Sequence, residues 1–277
     1  MKIMINPTQL RFQPLWSNRH AFYDLASEYS CGLEIVSFAL PWEIDDPILV
    51  QERLAAHKDE LPSLNCPKSF HGAFIDVTPH SPDRAIREVA ARRVYESLDL
   101  AAQLDCVEVI FHTGINPLIR NPAYLPKAIE DQAKFWRKAL YDYPMLKIYI
   151  ENMWEKDGTV FSKILEQVND PRLGMCFDCG HANVFGNDSP EIWMKEMVSH
   201  IPYMHWNDNL GDHDSELVLG EGNIDWMKMV SALDLFDQPP SIVLEVGQIE
   251  KVHKSLDFLT SRGFLQTVQP SKAVNFL

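Results

Sequence analysis

Short apolar segments that end in a histidine or a carboxylate recur along this chain, separated by longer helical patterns. Six such end residues follow one another at intervals of 41, 39, 27, 27 and 40 residues. They are His71, His112, Glu151, Asp178, His205 and Glu245. Each interval has room for one loop, one helix and a second loop. Such alternation is typical of a parallel sheet with right-handed crossovers.

Eight strands are predicted from the β-branched and aromatic runs. They cover residues 2–5, 32–38, 69–75, 107–112, 147–151, 174–178, 203–205 and 242–245. Helical patterns between them cover residues 83–104, 122–141, 160–168, 190–200, 225–233 and 249–261. The first helix is the clearest, because its apolar residues recur every three or four positions. Ser81 and Pro82 just ahead of it are expected to form its cap and first turn.

Eight strand and helix units in 277 residues favour closure into a (β/α)8 TIM barrel over an open doubly wound sheet. A nucleotide-binding open sheet would place a glycine-rich turn after its first strand, and residues 6–10 contain no glycine. No linker or Gly/Ser-rich tract divides the chain. We therefore expect one barrel domain over residues 1–277, with an active site at the carboxyl ends of the strands.

Composition limits the function classes. The chain has 25 Lys and Arg against 39 Asp and Glu, a net charge of −14, so a nucleic-acid partner is disfavoured. No apolar run approaches the ~20 residues of a membrane helix, and no membrane association is expected. Five cysteines without a secretory start argue against a disulfide framework. A cytoplasmic location is the expectation.

Carboxylates gathered at the carboxyl ends of the strands, here called the barrel mouth, require an explanation. Glu151, Asp178 and Glu245 would repel one another there and lose hydration. A divalent cation removes both problems. Three carboxylate oxygens and one imidazole suit Mn²⁺, Mg²⁺, Co²⁺ or Zn²⁺ better than a soft ion. The pattern therefore predicts a metal site.

Other residues that could form a site are expected to have structural roles or to lie on the surface. Cys176 and Cys179 form a C-x-x-C spacing, but Cys176 points the same way as Asp178 along a strand and is expected to pack in the core. Five histidines without a strand-end position are expected on the surface. They are His20, His57, His80, His200 and His213.

Six motifs carry a resemblance to a known superfamily. They are His-Gly-Ala-Phe at 71–74, Phe-His-Thr-Gly at 111–114, Glu-Asn-Met at 151–153, Asp-Cys-Gly-His at 178–181, His-Trp-Asn-Asp at 205–208 and Gly-Glu-Gly-Asn-Ile at 220–224. Together they resemble the xylose isomerase-like TIM-barrel superfamily over nearly the whole chain. That superfamily contains sugar isomerases and epimerases, such as the tagatose/psicose 3-epimerases, and also the apurinic endonucleases of the endonuclease IV type.

The epimerase branch implies one divalent metal ion held by Glu151, Asp178, His205 and Glu245. It also implies that Glu151 and Glu245 are the acid/base pair, transferring a proton through a metal-stabilised enediolate of a small keto-sugar or polyol. His181 matches a histidine that contacts substrate or metal. An inosose-type dehydratase would use the same metal set. Members of this superfamily often pair, which leaves a homo-oligomer open.

The endonuclease branch implies a zinc phosphodiesterase with two or three metal ions, for which His71 and His112 would be additional ligands. A third ion there is held by an Asp-x-His pair together with the residue matching His181. This chain has Asp214 and Glu216 at that pair, so a glutamate replaces the histidine.

The segment 206–224 decides the ranking of the two branches. It contains no Lys or Arg and five acidic residues, which are Asp208, Asp212, Asp214, Glu216 and Glu221. Phosphate recognition normally uses Arg, Lys or a helix N-terminus. A neutral sugar or polyol bound through hydrogen bonds and a metal fits such a loop better. The leading hypothesis is therefore a metal-dependent sugar isomerase or epimerase.

Overall fold

The computed structural model describes residues 4–266, and in them eight parallel strands form a closed barrel. The strands pair in chain order, and β8 closes on β1. They are β1 (Leu10–Phe12), β2 (Gly32–Ile35), β3 (Lys68–His71), β4 (Glu108–His112), β5 (Lys147–Glu151), β6 (Leu173–Asp178), β7 (Tyr203–Trp206) and β8 (Ser241–Leu244). The predicted (β/α)8 barrel is confirmed. A single domain over residues 1–277 stays a prediction, since that range extends beyond the described residues.

Helices alternate with these strands. Within the described residues they are α1 (Arg19–Tyr29), α2 (Pro41–Ile44), α3 (Pro47–Glu60), α4 (Arg84–Gln103), α5 (Tyr124–Asp142), α6 (Thr159–Val168), α7 (Cys179–Phe185), α8 (Pro190–Glu196), α9 (Trp226–Ala232) and α10 (Ile249–Ser261). None of the helices in residues 4–266 has both the length and the apolar composition that a membrane crossing requires.

The first strand was predicted at the wrong place. Lys2 and Ile3 lie outside the described residues, and Ile5 forms only an isolated parallel bridge with Leu265. The true first strand is β1, which contains the charged Arg11. Arg11 can lie in the barrel because its Nη2 is 2.6 Å from Glu108 Oε2, a partner that a local apolar pattern cannot reveal.

The cap predicted for α4 is also wrong by two residues. The carboxylate of Asp83 accepts a hydrogen bond from the backbone N–H of Ala85 at 2.8 Å, so Asp83 is the cap. Ser81 and Pro82 lie ahead of the helix, where the Ser81 hydroxyl accepts from Asp83 N at 3.3 Å. The helix itself agrees with the predicted 83–104 to within one residue at each end.

The barrel interior below the strand ends is filled by side chains that lie two residues before the end residues. Five of them form a buried cluster, consisting of Ile110, Tyr149, Cys176, Tyr203 and Val243. Because side chains two positions apart on a strand share a face, the end residues must also point into the barrel interior. The packing role predicted for Cys176 is confirmed.

Two of the histidines expected on the surface are instead buried. His57 is fully buried, with Nδ1 3.0 Å from the Tyr23 hydroxyl and Nε2 3.0 Å from Ser37 Oγ. His80 is buried as well, with Nε2 3.3 Å from the Tyr124 hydroxyl. Burial lowers the pKa of each imidazole to about 4, so both are neutral at neutral pH.

This burial predicts a loss of stability in acid. Between pH 6.5 and about 4 the unfolded chain protonates His57 while the folded chain does not, so the free energy of unfolding falls as pH falls through that window. The expected contribution of His57 is about 2–4 kcal/mol. Urea unfolding at pH 7 and pH 4.5, with a chelator present, should show a smaller pH dependence for His57→Gln. The matched control His253→Gln changes an exposed histidine and should keep the wild-type difference, whereas an unchanged difference in His57→Gln would contradict the prediction.

Candidate functional site

The six strand-end residues meet at the carboxyl end of the barrel. His71, His112, Glu151 and Asp178 are the last residues of β3 to β6, His205 lies on β7, and Glu245 directly follows β8. The strand register places His112 beside Glu151 and Asp178 beside His205. Glu245 has the most exposed side chain of the six, at only 16%. The six residues therefore lie together at the barrel mouth, as their spacing predicts, with little exposure to solvent.

Glu151 lies at the centre of four imidazoles. Its Oε1 is 3.3 Å from His205 Nδ1 and 3.4 Å from His181 Nδ1. Its Oε2 is 3.3 Å from His71 Nε2 and 3.2 Å from His112 Nε2. Burial alone would raise the pKa of Glu151, but His112 and His205 lower that pKa well below its usual range. The Glu151 carboxylate is therefore held ionised.

Four residues place one donor atom each around a common point. One atom each of Glu151, Asp178, His205 and Glu245 lies within 4.8 Å of the others. His205 Nδ1 is 3.1 Å from Glu245 Oε2, 3.3 Å from Glu151 Oε1 and 3.9 Å from Asp178 Oδ2. Donors about 2.1 Å from a tetrahedral ion are about 3.4 Å apart. These spacings fit a divalent cation.

The chemistry of the same atoms supports that fit. His205 Nδ1 is buried and has no hydrogen-bond partner. Burial raises the pKa of Asp178 well above its usual range, and the nearby charges of Glu245 and Glu151 raise that pKa further. Carboxylate oxygens and an imidazole nitrogen are ligands of hard and borderline divalent ions. The cluster can hold a metal ion.

The remaining predicted residues lie beside this cluster. His181, on α7, has Nε2 3.2 Å from Asp214 Oδ2 and Nδ1 2.8 Å from the Asn152 carbonyl oxygen. Glu216 lies in the same loop as Asp214 and has a left-handed backbone, with φ of 43°. Burial and the nearby charges of Glu245 and Asp214 raise the pKa of Glu216 to about 7. His181, Asp214 and Glu216 therefore form one side of the mouth.

Neighbouring amides fix Asp178 in place. The Asn152 side chain donates to the Asp178 carbonyl oxygen at 2.9 Å and accepts from its N–H at 2.9 Å. The His181 N–H donates to Asp178 Oδ1 at 2.6 Å. A side chain at Gly180 would place Cβ 2.0 Å from Asn207 Oδ1, so glycine is required between Asp178 and His181. The motif Asp-Cys-Gly-His is a rigid turn that presents one carboxylate and one imidazole.

Asp208 has a different role from the other acidic residues of segment 206–224. Its fully buried carboxylate accepts hydrogen bonds from Gly220 N at 2.8 Å and from Trp226 Nε1 at 2.7 Å. Gly222 passes so close that an added Cβ would lie 2.1 Å from Asp208 Oδ1. Asp208 therefore fixes the path of the loop that carries Asp214 and Glu216.

Two residues that contact the mouth from beneath were missed in the sequence. Glu34, on β2, is fully buried, and its Oε2 lies 3.2 Å from His205 Nε2. Gln13 follows β1 and donates from Nε2 to Glu34 Oε1 and to Glu245 Oε1, each at 2.9 Å. An isolated glutamate in an apolar strand was the available signal for Glu34. Gln13 was overlooked because β1 was placed too early.

Comparison with known proteins gives a consistent result. The sequence model of the family described as "Xylose isomerase-like TIM barrel" matches residues 24–262. MJ1311, an uncharacterized protein of Methanocaldococcus jannaschii, is 26% identical over 199 residues, which cover 68% of this chain and 67% of that protein.

Solved structures share the fold. A D-tagatose 3-epimerase-like protein superposes with a TM-score of 0.71 at 22% identity, covering 94% of this chain and 96% of its own. The TTHB071 protein of Thermus thermophilus, soaked with ZnCl₂, gives 0.74 at 26% identity, covering 94% and 100%. D-allulose 3-epimerase of a Methylomonas species, in complex with D-allulose, gives 0.69 at 18% identity, covering 94% and 99%.

Proposed function

We propose that this chain, which belongs to the xylose isomerase-like TIM barrel family, is a metal-dependent sugar isomerase or epimerase. The observation that carries the proposal is the arrangement of two glutamates, Glu151 and Glu245, on either side of His205 Nδ1. A pair of carboxylates beside one cation is the equipment that proton abstraction next to a carbonyl needs.

The ligands in this proposal are Glu151, Asp178, His205 and Glu245. Their donor atoms are one nitrogen and three oxygens, which suits Mn²⁺, Co²⁺, Mg²⁺ or Zn²⁺. A bound divalent ion would supply Lewis acidity, neutralising the negative charge that develops on the substrate's carbonyl oxygen. The TTHB071 protein soaked with ZnCl₂ supports the choice of a divalent ion.

Glu151 and Glu245 are proposed to move the proton. One glutamate, as the carboxylate, would remove the proton from the carbon next to the carbonyl, and the other, as the neutral acid, would return a proton to that carbon or its neighbour. Each keeps one oxygen anchored, because Glu151 Oε2 contacts His71 and His112 while Glu245 Oε1 accepts from Gln13. Anchoring leaves the other oxygen of each facing the common point.

The proposed substrate is a small neutral keto-sugar or polyol. With Asp208 committed to the loop, the mouth still carries Asp214 and Glu216 in a segment that contains no Lys or Arg. Hydroxyl groups can donate hydrogen bonds to such carboxylates, whereas a phosphate would be repelled. The Methylomonas epimerase that shares this fold binds D-allulose.

One observation favours a second candidate, a zinc phosphodiesterase of the apurinic endonuclease type. His71, Glu151 and His205 also place donor atoms within 4.8 Å of one another, so the mouth offers a second, overlapping ligand group. The acidic loop opposes binding of a phosphate backbone. An inosose-type dehydratase would use the proposed metal set with a different fate for the same intermediate.

Metal content and substrate range test the proposal together. Elemental analysis should find about one divalent ion per chain, and the metal-loaded protein should interconvert at least one pair of keto-hexoses or keto-pentoses. Two or three ions per chain, no sugar turnover and nicking of a duplex with an abasic site would favour the phosphodiesterase instead. Absence of metal from every preparation would contradict both.

A further inference from the structure

Glu34 is a buried carboxylate with three partners and no exposure to solvent. Its Oε2 accepts from the Tyr203 hydroxyl at 2.8 Å and lies 3.2 Å from His205 Nε2. Its Oε1 accepts from Gln13 Nε2 at 2.9 Å. Burying a carboxylate is costly unless donors compensate for the lost water. Both oxygens of Glu34 therefore depend on these three side chains.

The contact between Glu34 and His205 determines which nitrogen of His205 carries the proton. An ionised carboxylate only accepts hydrogen bonds, so His205 Nε2 must be the donor to Glu34. A cation can then bind only the other ring nitrogen, Nδ1, in place of any proton there. Nδ1 faces Glu151 and Glu245 and has no hydrogen-bond partner.

We propose that Glu34 is a positioning residue that fixes the tautomer and ring orientation of His205, so that Nδ1 is presented to a cation. Gln13 extends this support, because the same amide nitrogen that donates to Glu34 also donates to Glu245 Oε1. Glu34 and Gln13, which contact each other, thus also contact two of the four proposed ligands, His205 and Glu245. The inference rests on the proposed function only in assuming that a divalent ion binds at these ligands.

Glu108, whose side chain is 13% exposed, provides a comparison inside the same barrel. Glu108, on β4, has Oε2 2.6 Å from Arg11 Nη2, and its Oε1 accepts from the Tyr149 hydroxyl at 3.1 Å. No contact links it to the four proposed ligands in the described part of the chain. Glu108→Gln therefore reports the general cost of neutralising an ion-paired carboxylate in this barrel.

Glu34→Gln should weaken metal binding more than it weakens the fold. A glutamine can present its amide N–H₂ to His205 Nε2, which favours the tautomer with the proton on Nδ1. Loss of such an outer partner typically costs 10–100-fold in metal affinity. Calorimetric titration with Zn²⁺ or Mn²⁺ should show that loss in Glu34→Gln, and an affinity within about threefold of wild type in Glu108→Gln. Equal losses in both variants, or none in Glu34→Gln, would overturn the proposal.

The tautomer can also be measured directly, without any variant or substrate. Nitrogen-15 NMR of the wild-type protein loaded with Zn²⁺ should show that His205 keeps its proton on Nε2 and has none on Nδ1. A proton on Nδ1 with none on Nε2 would overturn the inference even if Glu34→Gln did not fold. If the protein binds metal tightly but turns over no sugar, the proposed function fails while the role of Glu34 stands.

Discussion

Glu245→Gln should lower sugar turnover by about 10²–10⁴-fold while the protein keeps most of its metal at saturating concentrations. The amide oxygen of glutamine can still face His205 Nδ1, which lies 3.1 Å from Glu245 Oε2. The amide cannot accept the substrate proton. Glu151→Gln should show the same separation between turnover and metal content. Both quantities are measured on one preparation, by kinetics and elemental analysis.

The two variants differ in how cleanly they test proton transfer. Glu151 contacts four imidazoles, so Glu151→Gln also disturbs His71 and His112, and its folding must be checked by thermal unfolding. Glu245 has fewer partners, which makes Glu245→Gln the cleaner variant. Glu108→Gln, deeper in the barrel, is the control that should retain activity. If turnover falls only in proportion to metal content, the glutamates are ligands and not proton carriers.

Removal of the metal should abolish activity and lower thermal stability. An ion that binds only the folded state at 100 times its Kd adds about 2.7 kcal/mol to the free energy of unfolding, which corresponds to about 5 °C in Tm for a chain of this size. A chelator should reverse that gain, and added Mn²⁺, Co²⁺, Mg²⁺ or Zn²⁺ should restore it. Burial and the charges of Glu245 and Glu151 raise the pKa of Asp178, and a cation would compensate for both, which is the physical reason for the gain.

Asp178→Ala is the control for metal removal. Asp178 is fully buried and belongs to the four-residue ligand group, so its loss should remove the response of Tm to added metal. A wild-type protein whose Tm and activity are unaffected by the chelator, with metal shown to be absent, would contradict the prediction. An Asp178→Ala protein that responds like wild type would place the metal elsewhere.

The barrel and most of its mouth were predictable because the informative signals are local. His71, His112, Glu151 and Asp178 each end a short apolar strand, and strands of one barrel end at the same face. Because each interval between these residues has room for one helix and its loops, their positions implied convergence. Sequence position alone could not supply the distances, such as the four imidazole contacts around Glu151.

The interior residues that the sequence did not predict depend on partners far away in the chain. β1 has only three residues. Its Arg11 is tolerated because it pairs with Glu108, and that partner lies 97 positions later in the chain. His57 is buried because Tyr23 and Ser37 satisfy both of its nitrogens. Only the folded barrel brings such partners together, so Arg11 was overlooked and His57 was assigned to the surface.

The same reason explains why the support behind the metal ligands was missed. Glu34 lies in the middle of a short strand and contacts His205, 171 positions later. The strand-end rule selects residues that face the mouth and not those one layer beneath it. The predicted ligands were therefore found without the residues that orient them.

Exchange of a substrate proton with D₂O would report proton removal at this site before any product is formed. The metal-loaded protein is incubated with D-allulose, D-tagatose or D-fructose in D₂O, and the proton at the carbon next to the carbonyl is followed by NMR. With wild-type protein this proton should be replaced by deuterium, and the replacement should stop after chelation. Fully metal-loaded, folded protein that exchanges no such proton in any keto-hexose or keto-pentose would contradict proton transfer at this site.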